Sequence, residues 1–161
     1  MSVALLACEL IARLVLPAPL PWRYPQVSYR PDSDVMFTLA PNQHAYSADK
    51  EVHINANGMR GQLIPYERTP GRTRLLFIGD SIAFGYGVRD EEVVTSRVAQ
   101  LLGAQGVAPE VINASVPAYN TEQEVTLLER EGLRYRPDWV IVGVCWNDLS
   151  DKSHVRVSQD G

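Results

Sequence analysis

The sequence predicts an α/β domain built on a parallel sheet over residues 71–161. Three observations carry this reading. The apolar runs Leu75–Ile78, Val111–Asn113 and Val140–Val144 are short and lack the in–out alternation of a half-exposed strand. Helix-length segments, about Glu91–Leu102 and about Thr121–Arg134, separate them. The resulting order of strand, helix, strand, helix, strand implies parallel pairing through right-handed crossovers.

Each element has a local reason. Leu75-Leu-Phe-Ile78 suits a strand buried on both faces, and Gly79 lets the chain turn sharply into Asp80-Ser81. Gly103 and Gly106 suit the end of the first helix. Thr121 followed by Glu124 makes a capping-box signature for the second helix, with Val125, Leu128 and Leu133 as its expected apolar face. Arg130, Arg134 and Arg136 with Glu129 and Glu131 read as a solvated face. Val140–Val144 is apolar on both faces, with Cys145 as a small core residue, and such a strand left without a neighbour is an aggregation-prone edge.

The chain before residue 71 carries less fold information. Residues 1–21 form an apolar segment interrupted by Glu9 and Arg13 and stopped by Pro17, Pro19 and Pro21, too short and too charged to span a bilayer alone. An amphipathic helix with Glu9 and Arg13 paired four apart is one reading. Residues 22–70 read as an irregular, proline-rich lead-in with short strands or turns, in which Asn57-Gly58 and Arg60-Gly61 mark tight turns. His44 and His53 lack further ligands at metal-binding spacing, so they read as surface histidines and no metal is expected.

A chain of 161 residues that is 45% hydrophobic and 21% charged is ordinary for one folded domain. The net charge of −4, with the acidic excess after residue 70, leaves no electrostatic footprint for nucleic acid. Two cysteines, Cys8 and Cys145, do not make a disulfide framework.

Ser81 stands at the carboxyl end of a strand, where ligands bind in open α/β sheets. Gly79-Asp-Ser-Ile-Ala83 lacks the second glycine of a Gly-x-Ser-x-Gly elbow, and Gly85-Tyr-Gly87 lacks the residues of a dinucleotide or phosphate loop, so no nucleotide cofactor is expected. Asp80 is expected to fix the loop by hydrogen bonds. Trp146 reads as either a pocket wall or a packing residue.

Gly79-Asp80-Ser81 resembles the signature of the SGNH (GDSL-type) esterase and lipase family. Val111-Ile-Asn-Ala-Ser-Val-Pro-Ala-Tyr-Asn-Thr121 resembles that family's second block, with Ala118 where a glycine amide donates to the oxyanion. Trp139-Val-Ile-Val-Gly-Val-Cys-Trp-Asn-Asp148 resembles the third, whose asparagine place is taken by Asn147. Ile54-Asn-Ala-Asn-Gly-Met-Arg-Gly61 resembles a segment preceding the catalytic strand in one bacterial branch.

The resemblance implies a flavodoxin-like three-layer α/β/α fold with the first strand between the second and third. It also implies a serine hydrolase forming an acyl-enzyme on Ser81, with Ser81 N–H, Ala118 N–H and the Asn147 side chain as oxyanion donors. The family's Asp-x-x-His block would come two strands later, so the expectation is a fold incomplete at its C-terminus. Asp151-Lys-Ser-His154 spells the motif only four residues beyond Asn147; coincidence is the favoured reading, and His154 as base with Asp151 as its orienter is the alternative. The substrate class implied is a small acyl ester, with an acetylated glycan as one form. The rivals are an O-acetyltransferase and a catalytically incomplete fragment or non-catalytic binding module. Bacterial relatives carry a membrane helix ending in a similar stretch, which makes residues 1–20 a candidate membrane contact and the cell envelope the expected location, with the cytoplasm as alternative.

Overall fold

The computed structural model describes residues 3–15 and 22–146. Helix α1 (Val3–Val15) buries none of its residues and carries the expected Glu9–Arg13 pair at 2.8 Å. No helix among the described residues is long and apolar enough to cross a membrane.

The lead-in folds as two antiparallel hairpins. Strand β1 (Tyr29–Asp32) pairs with β2 (Met36–Leu39), and β3 (Gln43–Ser47) with β4 (Lys50–Ile54). Gly58 and Gly61 take the positive φ that the two expected turns require. These hairpins are not peripheral: Val35, Phe37, Leu39, Ile54 and Met59 join Leu76, Ile78, Ile112 and Leu127 in one hydrophobic cluster. The backbone of Arg60 bridges Ile54 to Asn113 and so ties the second hairpin to the sheet.

The sheet has the expected order. Strand β5 (Thr73–Gly79) lies between β6 (Pro109–Asn113) and β7 (Trp139–Gly143), parallel to both. Leu75 through Ile78 are all buried, as an unalternated run demands. Helix α2 (Ser81–Phe84) follows β5 at once, and α3 (Val94–Ala104) provides the crossover to β6. Helix α3 begins three residues later than expected because Glu92 and Val93 N–H groups are taken up by Arg89 O in a preceding turn.

Helix α4 (Thr121–Arg130) starts at the expected residue with a different cap. Asn120, not Thr121, is the cap: its side chain accepts from Gln123 N–H at 3.0 Å and Gln123 Oε1 accepts from Asn120 N–H at 3.2 Å. This corrects the Thr121–Glu124 capping box by one residue. The buried face is Gln123, Glu124 and Leu127 rather than the expected apolar set, leaving Val125 and Leu133 exposed and Leu128 partly buried. Gln123 is useful there because its Nε2 donates to Val35 O at 2.8 Å, joining α4 to the first hairpin.

The helix ends at Arg130, and a 3₁₀ turn over Gly132–Tyr135 completes the path to β7. Glu129, Arg130, Arg134 and Arg136 are exposed, as a solvated face requires, and Arg130 in addition holds Asp32 at 2.7 Å and Asp34 at 2.9 Å from Nη1, across to the first hairpin. Arg134 pairs with Glu131 and lies over the Tyr66 ring.

Strand β7 is the exposed apolar edge expected of a strand without a second neighbour, and only the core placement of Cys145 is corrected. Trp139 and Val142 are exposed among the described residues, and Cys145 sits half-buried after the strand rather than in the core. An apolar run alone does not bury a strand; a neighbour on each side does, and β7 pairs only with β5 among the described residues.

Candidate functional site

The carboxyl ends of β5 and β6 bring two of the sequence-predicted residues to one rim of the sheet. Ser81 is the first residue of α2, directly after β5 and the cap residue Asp80. Asp80 is almost fully buried, and its Oδ1 accepts from Ile82 N–H at 2.8 Å while Oδ2 faces Ser81 Oγ at 3.3 Å. It therefore fixes the turn, as expected. Ser81 is half-buried, and no acceptor takes its backbone N–H among the described residues.

Ala118 reaches the same rim by continuation of the ladder. Ala114 N–H donates to Phe77 O at 2.8 Å and Val116 N–H to Gly79 O at 3.0 Å, so the chain beyond β6 stays registered with β5 up to two residues before Ala118. Ala118 is exposed and adopts a φ of 70°, the left-handed region that favours glycine. Its N–H also has no acceptor among the described residues. The arrangement offers two backbone donors for a developing oxyanion. Asn147, Asp151 and His154 lie outside the described residues, and Trp146 is exposed.

A family model described as the GDSL-like lipase/acylhydrolase family matches residues 77–160. The chain belongs to that family. Among solved structures it is similar to AlinE4, a SGNH-hydrolase family esterase, at 26% identity and a TM-score of 0.43, covering 50% of this chain and 44% of that one. Two AlinE4 mutant structures match alike, at 26% and 25% identity with the same coverage and TM-score. The chain thus spans under half the length of these structures. No curated protein matches it.

Two residues that sequence reasoning left without a role hold this family's serine turn in place. Arg60 is buried, stacks on the Phe84 ring at 4.9 Å, and donates from Nη1 to Phe84 O and Gly85 O at 2.9 and 2.7 Å. Its Nη2 donates to Val88 O and Asp90 Oδ1 at 2.6 and 2.8 Å, so one guanidinium organises the whole loop after α2. Burial lowers its pKa while Asp90 opposes that shift. Asn113, also buried, donates to Ala83 O and Phe84 O at 3.2 and 3.3 Å from the end of β6. A buried amide closing an apolar strand must find partners, and that was the available signal for Asn113. Arg60 was signalled only as the first residue of the Arg60-Gly61 turn.

The histidines of the second hairpin are engaged elsewhere. His53 and His44 stack at 4.4 Å, and His53 Nδ1 lies 2.8 Å from Asp90 Oδ2. Both are exposed, as expected of surface histidines. No group of ligands able to hold a metal occurs among the described residues.

Proposed function

We propose that this chain carries the nucleophile of a serine ester hydrolase acting through an acyl-enzyme on Ser81. The observation that supports it most is the pairing of a half-buried serine, first in a capped turn at the end of β5, with two backbone donors on the same rim, Ser81 N–H and Ala118 N–H, that no acceptor takes among the described residues. Ser81 Oγ attacks the ester carbonyl, its proton passing to a base as the Oγ–C bond forms. The oxyanion is held by the two N–H groups and the Asn147 side chain. Collapse expels the alcohol, which takes the proton from the base; water then repeats the sequence and releases the acid. Loss of one oxyanion donor costs roughly 3 to 4 kcal/mol of transition-state stabilisation.

Of the three histidines in the chain, neither His44 nor His53 hydrogen-bonds Ser81 among the described residues. His154, with Asp151, is the base to test first within this sequence, while the resemblance places the family's own Asp-x-x-His block two strands later. The finer reading of the substrate is an O-acetyl group on a glycan. The exposed apolar residues of α1 favour work at a membrane surface of a bacterial envelope.

The test is intact mass after treatment with a fluorophosphonate, for the parent and Ser81→Ala. One adduct on the parent and none on the variant is the expected result. A folded parent that takes no adduct refutes an activated serine and favours a non-catalytic binding role.

A further inference from the structure

A cleft of about 200 Å³ opens beside the serine turn, its lining including Trp22, Tyr29, Tyr86, Phe84 and Pro117 with the polar Gln26. We propose that it is the subsite for a pyranose ring of an acylated saccharide, an assignment that rests on the ester hydrolase reading for what happens to the ester. Its position follows from the chain. Phe84 ends the single turn that Ser81 begins, Pro117 immediately precedes Ala118, and Tyr86 N–H donates to Ser81 O at 2.9 Å. The cleft wall is thus fastened to the backbone of the nucleophile.

The chemistry of the walls selects the occupant. Trp22, Tyr86 and Tyr29 are 59%, 47% and 42% exposed, an unusual concentration of large aromatic surface in one concavity. Tyr29 is oriented by an edge-to-face contact with the buried Phe37 ring at 5.3 Å, so its ring is held rather than free to collapse. Burial and the neighbouring Tyr86 phenol push the Tyr29 hydroxyl up to about 12, so it remains an O–H donor. Flat apolar faces edged with O–H and indole N–H donors match a sugar ring, which presents C–H faces and a rim of hydroxyls. A long acyl chain wants a closed aliphatic slot, whereas these walls are aromatic and reach solvent.

The proposal is tested on the full chain carrying Ser81→Ala, titrated with O-acetylated xylotriose, cellotriose and chitotriose and followed by tryptophan fluorescence. At least one should give a saturable change. Tyr86→Leu should weaken that binding about tenfold, and Trp22→Phe should remove the signal, with circular dichroism showing each variant folded. If none of the three binds to folded protein, or if both variants bind as the Ser81→Ala chain does, the cleft is not a saccharide subsite. Fluorophosphonate labelling of the parent separates the two readings. Labelling without saccharide binding overturns the cleft alone, and saccharide binding without labelling upholds the cleft while overturning hydrolysis.

Discussion

Gly79 and Gly143 are register partners at the carboxyl ends of β5 and β7, and the methyl group of Ala83 fills the space above both. A Cβ on Gly79 would lie 2.7 Å from Ala83 Cβ and 2.8 Å from Gly143 O, and a Cβ on Gly143 would lie 2.7 Å from Ala83 Cβ. The short helix carrying Ser81 can therefore sit where it does only because both strands end in glycine. Overpacking of this kind costs about 1 to 3 kcal/mol. We expect Gly143→Ala to lower the urea midpoint by a corresponding amount and to slow fluorophosphonate labelling of Ser81. Adding Ala83→Gly removes the clashing methyl and should restore part of both; a double variant no better than Gly143→Ala would sink this account.

Ala118 lends itself to a stability experiment that needs no substrate. A non-glycine residue at φ 70° costs roughly 1 to 2 kcal/mol, and replacing alanine by glycine returns roughly 0.4 to 1 kcal/mol of unfolded-state entropy to the denatured chain. The strain relieved is at least as large as the entropy lost. Ala118→Gly should thus stabilise the fold by roughly 0 to 1.6 kcal/mol, with a centre near 1, seen as a raised denaturation midpoint with an unchanged slope. A destabilised Ala118→Gly protein would show that the left-handed conformation carries no strain here.

Arg60 gives the sharpest test of how the serine loop is held. Its guanidinium satisfies the carbonyls of Phe84, Gly85 and Val88 and neutralises Asp90. Asp90 is partly exposed and also faces His53, so the cost of losing the guanidinium lies in the carbonyls it leaves unmet, about 1 to 3 kcal/mol for a buried polar group without a partner. Arg60→Met should destabilise by that order and raise amide exchange across residues 84–90 more than in β5. Arg60→Lys, which keeps the charge but loses the fork, should fall between the two. Uniform exchange along the chain in Arg60→Met would deny the residue a local positioning role.

The sheet was legible in the sequence because its signals are short-range. Unalternated apolar runs fix β5 and β6, and the parallel order β6-β5-β7 matches the flavodoxin-like arrangement implied by the resemblance. What was not legible depends on partners distant in sequence. The one-residue shift of the α4 cap arises because Asn120 and Thr121 are both good caps, and only Gln123's bond to Val35 O decides the frame. The half-buried place of Cys145 depends on which strands lie beside β7, which its own composition does not state. The placing of Ser81 and Ala118 at one rim of the sheet was readable from their blocks. Arg60 and Asn113 were not, because they act through backbone carbonyls of another segment and have no spacing signature.

The Asp32–Arg130 pair predicts how stability responds to acid. Arg130 Nη1 donates to Asp32 Oδ1 at 2.7 Å, and that bond, aided by the Asp34 and Val35 N–H groups, holds the carboxyl down to about 2, below its usual value near 3.9. A carboxylate depressed on folding stabilises the native state at pH values above its unfolded pKa, and that contribution disappears as the pH falls through the folded value. The window is therefore about pH 4 down to about pH 2. Asp32→Asn retains an acceptor for the two backbone N–H groups but loses the charge, so it isolates the pairing with Arg130. The parent should melt at a higher temperature than Asp32→Asn at pH 6, and the gap should narrow progressively as the pH is lowered from 4 to 2. A gap of constant size over that range would mean that the ion pair between α4 and the first hairpin contributes nothing to stability.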